Sequence, residues 1–199
     1  MDYPFSNSRE HAKRSRSLYE RGSLDCLLYA ALEYRLSVES RLADFSELAE
    51  EFKEPKKNIW RIKDLTKHVD SVFGQSSLTY EVEITSPNLD QPLTLKYLPI
   101  TKEIRETVGK LDNFLHHPGV SQCVHDGKEG ELKRLLGRGL ELLEEVLQEG
   151  LQGPPITDDD GNTRISIDPD IHPEIFELLR EGEGIEMKFR VNEPALANK

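Results

Sequence analysis

The feature that most constrains this chain is a run from Leu24 to Phe52 without a single Gly or Pro. Leu28, Leu32, Leu42, Phe45, Ala49 and Phe52 fall on one stripe at helical spacing, and Leu27, Ala31, Tyr34, Val38 and Leu48 widen it. The run predicts one long helix. A helix with so wide an apolar stripe has to bury it against other elements, so the rest of the chain must supply partners.

It does so mainly with further helices. Ser6-Asn7-Ser8 offers N-cap side chains, and Glu10 to Arg21 reads as a short helix stopped by Gly22. Glu54-Pro55 ends the long helix, and a third is expected from Lys57 to Phe73. Two more follow, over Ile100 to His117 and over Gly127 to Leu151. The last of these carries Gly137 and Gly139 inside it, each about 1 kcal/mol worse than Ala in a helix, so they read as points of close helix packing.

Strand patterns interrupt this twice. Leu78 to Thr85 and Pro92 to Leu98 alternate around the turn chemistry of Ser86-Pro87-Asn88-Leu89-Asp90, which predicts a β-hairpin between helices. After the Gly153-Pro154-Pro155 break, Thr163 to Ile167 and Ile185 to Val191 alternate on either side of a short helix over Asp170 to Glu181. That strand–helix–strand unit can pair with the hairpin to form one small sheet. The expected fold class is therefore mainly α (α+β): a helical bundle over 1–152 with a hairpin inserted at about 78–98, and a small β-containing unit over 153–199.

Composition narrows the function classes. The 199 residues suit one large domain, or one domain with an appendage. No apolar stretch is long enough to span a membrane. The start, Met1-Asp2-Tyr3-Pro4, lacks a basic region leading into an apolar one, and Cys26 and Cys123 sit far apart, so a reducing cytoplasm is expected. The net charge is −11, concentrated beyond Leu140. That disfavours nucleic acid as a partner for the whole surface. The local exception is a basic N-terminal patch of Arg9, Lys13, Arg14 and Arg16. It reads either as a solvated helix face or as a surface for RNA or an acidic partner, including the chain's own acidic C-terminal part.

Catalytic signatures are sparse. There is no phosphate-cradling Gly-rich loop and no nucleophile elbow. The Asp158-Asp159-Asp160-Gly161-Asn162 run has the wrong Gly position for a calcium loop and reads as a turn. His116, His117, Cys123 and His125 match no standard zinc spacing, so no metal ligands and no cofactor are expected. On the long helix, Arg35 and Glu39 are four apart and can pair. Together with Glu33 they read either as a register-fixing ion pair or as a polar site within the bundle.

The stretch Ala30-Ala31-Leu32-Glu33-Tyr34-Arg35 through Glu39, in a long second helix, resembles the HEPN superfamily. So does the later helix with Arg105 and Leu111-Asp112-Asn113-Phe114-Leu115-His116-His117-Pro118. The resemblance spans roughly residues 8 to 150. It implies a helical bundle, usually dimeric, of the kind common in prokaryotic toxin–antitoxin and antiphage systems. It also implies metal-independent RNase chemistry in many members, with His as acid–base and Arg steadying charge on phosphate. Here Asp112 stands where the family pattern places an Arg before Asn, and a carboxylate repels phosphate. Arg61 and His68 do satisfy the Arg-to-His spacing, and His116 and His117 complete the catalytic candidates.

The sequence therefore points first to a non-catalytic, HEPN-like accessory or regulatory subunit. It would act by protein association in a prokaryotic defence or toxin-type module, as a homodimer with a protein partner. The alternatives are a metal-independent RNase and an acidic, nucleic-acid-mimicking inhibitor of a basic protein.

Overall fold

A computed structural model describes residues 7–50, 78–116, 120–121, 123, 126–157, 160–167, 171–181 and 184–192. The helix expected over Lys57 to Phe73 lies outside them. The described residues form a mainly helical α+β fold with five helices and a small antiparallel sheet.

Helix α1 (Ser8–Arg21) begins where the sequence offers a cap: Asn7 Oδ1 accepts the Glu10 amide at 3.0 Å. It ends at Gly22, whose φ of 74° only glycine adopts freely. Helix α2 (Leu24–Glu50) then doubles back along it. Ser15 Oγ donates to the Ala30 carbonyl at 2.7 Å, and Ser37 Oγ to the Ser8 carbonyl at 2.6 Å, which makes the pair antiparallel. Ala12, Ala30 and Ala31 are buried between the helices, and such small side chains allow the backbones this close.

Helix α3 (Lys102–Leu115) is capped by Thr101 Oγ1, and α4 (Glu129–Leu147) packs against α1, α2 and α3. Leu132, Leu136, Leu140 and Leu143 of α4 are buried with Leu27, Tyr34 and Val38 of α2 and with Ile104, Val108 and Leu111 of α3. Gly139 faces Tyr34 and Thr107 directly, so the close packing expected of it is present.

The stripe on α2 lies elsewhere than its leucines suggest. Leu27, Ala30, Ala31, Tyr34, Val38 and Leu42 are buried, whereas Leu28 is half-buried and Leu32 is 41% exposed. Apolar residues surround the first turns of α2, so periodicity alone does not choose a face. The small residues that admit α1 decide it.

The expected hairpin is β1 (Thr79–Thr85) and β2 (Leu93–Tyr97). Two further short strands, β3 (Ile156–Thr157) and β4 (Thr163–Arg164), form a separate two-stranded pair around the Asp-rich turn, where Gly161 has φ 85°. Helix α5 (Pro173–Glu181) leads to β5 (Glu186–Asn192), which pairs antiparallel with β1 along its whole length. The sheet order is β2-β1-β5. Of the two late strands expected to join the hairpin, only β5 does so. The earlier one shortens to Thr163–Arg164, pairs with β3, and leaves Ile167 to bridge Leu151.

Glu149 to Leu151 tie the helices to the sheet. The Lys96 amide donates to the Glu149 carbonyl at 2.9 Å, and the Leu151 amide to the Lys96 carbonyl at 3.1 Å. Arg41 of α2 is buried and donates to the Leu151 carbonyl at 2.6 Å. Val82, Ile84, Leu95 and Tyr97 thereby enter the same core as the helices.

Candidate functional site

The charged residues singled out by the sequence fall into three groups, set by which helices they bridge. Between α1 and α2, Glu33 Oε2 accepts from Arg14 Nε at 3.0 Å and lies 2.7 Å from His11 Nδ1. Arg14 Nη2 lies 2.8 Å from the same His11 nitrogen, so Arg14, His11 and Glu33 form one cluster. Between α2 and α3, Arg35 Nε donates to Glu39 Oε1 at 2.8 Å and its Nη1 to Asp112 Oδ1 at 3.1 Å. The hydrogen bond to Glu39, with the neighbouring Asp112 charge, pushes the Arg35 pKa up against a smaller desolvation effect. Glu33 and Arg35 are two residues apart, so the helix turns them to different neighbours. The three residues do not form one polar centre.

The third group joins α1 to the C-terminal half of α4. Arg16 donates through Nε and Nη2 to the two oxygens of Glu144, at 2.7 and 2.6 Å, a fork-to-fork pair. Its guanidinium also lies over the Tyr19 ring, 5.6 Å from the centroid. Arg9 donates to the Leu147 carbonyl, one of the last of α4, where a cation complements the helix dipole. Lys13 pairs with Glu10 one turn back. The basic patch is thus engaged with carboxylates and a carbonyl of its own chain, and Glu144 belongs to the acidic part beyond Leu140. Arg9, Ala12, Lys13, Arg16, Glu144 and Leu147 line a cavity of about 420 Å³ there.

A second hollow, about 460 Å³, lies between α3 and α4 and is lined by Lys110, Asn113, Phe114, Lys128, Arg134 and Leu135 among others. Of the RNase candidates, His116 is exposed just past the end of α3. Arg61, His68 and His117 lie outside the described residues, as does His125. Among the described residues no three His, Cys, Asp or Glu side chains converge as a metal site would require.

Two residues that join the elements, Glu144 and Arg41, were missed in the sequence. Glu144 lies far from Arg16 in sequence and carries no local signal. Arg41 did carry one, because it stands seven residues after Tyr34 on the core side of α2. The chain matches no family model, no curated protein and no solved structure.

Proposed function

We propose that this chain works by protein association, as a non-catalytic HEPN-like accessory or regulatory subunit of a prokaryotic defence or toxin-type module, and that it self-associates through α2. The observation that carries this reading is the outer side of α2. Tyr29, Leu32 and Leu36 stand there at i, i+3 and i+7, and Tyr29 is 63% and Leu32 41% exposed. An apolar stripe on the outside of the longest helix suits a second helix of the same kind. The neighbouring charges support the non-catalytic part. Arg35 is paired with Glu39 and Asp112, and Arg14 and Arg16 with Glu33 and Glu144, so carboxylates of the chain itself already engage the cations a phosphate would call on.

Light scattering on the purified chain, with a parallel incubation in cellular RNA with and without divalent metal, tests the reading. The expected result is a dimer that leaves RNA intact, and a Tyr29→Glu/Leu32→Glu variant that is monomeric with unchanged helicity. A monomeric wild-type chain, or metal-independent RNA cleavage lost in His116→Ala, overturns it.

A further inference from the structure

We infer that the outer edge of β5 is a docking site for an extended segment of a protein partner in which acidic and apolar residues alternate, added as a further strand of the sheet. This deepens the association reading above and rests on it. Three observations point to the same occupant.

The first is the edge itself. The far side of β2 is taken by Glu149 to Leu151 through the Lys96 hydrogen bonds, but among the described residues nothing pairs with the far side of β5. Among the described residues a seven-residue strand therefore offers backbone donors and acceptors with no strand beside them, the requirement for strand addition.

The second is the inner face. Val82 pairs with Phe189 and Tyr80 with Val191 in the β1–β5 register, so these side chains share one face of the sheet. Val82 is fully buried in the core it shares with helix residues, while Phe189 is 42% and Val191 57% exposed. The apolar face thus runs on from the buried core into an exposed strand.

The third is charge. On the outer face Lys96 of β2 lies 3.5 Å from Glu81 of β1, and Glu83 of β1 lies 4.0 Å from Lys188 and 3.6 Å from Arg190 of β5. Along the middle of the strands the sign alternates, positive on β2, negative on β1 and positive on β5, with Glu186 at the start of β5 as the exception. Two exposed cations of β5 share the Glu83 carboxylate, so the next strand is complementary when it brings acids. A second copy of β5 is less well matched: an antiparallel pairing centred on Phe189 sets Lys188 against Arg190 of the mate twice, one centred on Arg190 sets Arg190 on Arg190, and only one centred on Lys188 offsets its Lys188–Lys188 contact with two Glu186–Arg190 pairs.

β1 already shows what β5 accepts on its inner side: Tyr80-Glu81-Val82-Glu83-Ile84, acids to one face and apolar groups to the other. The probe is accordingly a fluorescein-labelled peptide with the sequence of residues 79–85, titrated with the full chain and followed by anisotropy. The control peptide carries lysine in place of both glutamates, which leaves the protein untouched. The acidic peptide should bind at least about tenfold more tightly, the advantage of two or three cross-strand charge pairs, and the gap should shrink with added salt. In a Lys188→Glu/Arg190→Glu chain the preference should reverse. Amide exchange should slow in β5 on binding. Absence of binding, equal binding of both peptides, or protection elsewhere overturns the inference. So does a wild-type dimer that the β5 double variant dissociates, since a second copy then holds the edge. If no peptide binds while Tyr29→Glu/Leu32→Glu still breaks a dimer, the edge inference fails and the association reading stands.

Discussion

Gly139 of α4 lies under the ring of Tyr34 of α2: a Cβ placed on it would stand 3.0 Å from Cζ of that ring and 2.8 Å from Cγ2 of Thr107. Three helices meet at this point, and the missing side chain sets how closely they approach. Tyr34 is fully buried, and burial pushes its phenol pKa well up, so the ring acts as a packing surface.

A glycine series separates packing from helix propensity. Gly139→Ala gains up to about 1 kcal/mol of propensity but forces two buried side chains apart, and overpacking of that kind costs about 1–3 kcal/mol, so a net loss is expected. Gly137→Ala meets only the phenol end of the partly buried Tyr19, with the hydroxyl 2.6 Å and Cζ 3.1 Å away, and the far end of one side chain can shift, so it should lose less than Gly139→Ala. Gly109→Ala in α3 meets nothing within 4 Å and should stabilise by about 0.5–1 kcal/mol. Urea unfolding of the three variants gives the order directly; equal effects at Gly139 and Gly109 would contradict the packing account.

Arg41 links the helical layer to the sheet. Its removal leaves the Leu151 carbonyl without its guanidinium donor in a buried setting, at a cost of about 1–3 kcal/mol. Arg41→Met keeps most of the apolar stem but not the donor, so it should lose nearly as much as Arg41→Ala. Amide exchange at Lys96 and Leu151 should rise in both variants, because those bonds hold the same strap. A loss confined to α2 would show that Arg41 serves its own helix only.

The two cysteines should react at different rates. Burial, with Glu129 nearby, pushes the Cys123 thiol above its usual range, and the residue is 4% exposed. Cys26 is half-buried near the start of α2. The thiolate is the reactive form, so alkylation near neutral pH should label Cys26 at least about tenfold faster, and Cys123 should gain rate only as pH rises beyond the ordinary thiol range. Peptide mapping after timed iodoacetamide quenches measures both, and equal rates would place Cys123 at the surface.

How much of this was readable beforehand depends on the range of the interaction. Local chemistry was legible: the Asn7 cap, the Gly22 stop, the Ser86–Asp90 turn and the Arg35–Glu39 spacing are each set within a few residues. Alternation over Ile185 to Val191 marked a strand that could join the hairpin, and β5 (Glu186–Asn192) does pair with β1. What depended on distant partners was not legible. The face of α2 was misjudged because Leu28 and Leu32 count as apolar whichever side α1 takes. Arg35 found Asp112 across α3, and the polar set around Glu33 divided, because helix rotation sends adjacent charges to different neighbours.

The Arg16–Glu144 pair should contribute modestly and unevenly. Its side chains are roughly one-third exposed, so a double-mutant cycle of Arg16→Ala and Glu144→Ala should give a coupling of about 0.5–1 kcal/mol, reduced by added salt. Hydrogen bonding to Glu144 raises the Arg16 pKa, so the cation persists throughout the working range. Arg16→Ala should cost more than Glu144→Ala, because the guanidinium also stacks on Tyr19 and that contact survives loss of the carboxylate. Arg16→Lys keeps the charge but gives up the two-pronged geometry, so it should fall between wild type and Arg16→Ala. Urea denaturation at low and high salt resolves these differences. Equal costs for the two alanine variants would remove Tyr19 from the account, and a salt-independent coupling would show that the pair is held by packing instead of charge.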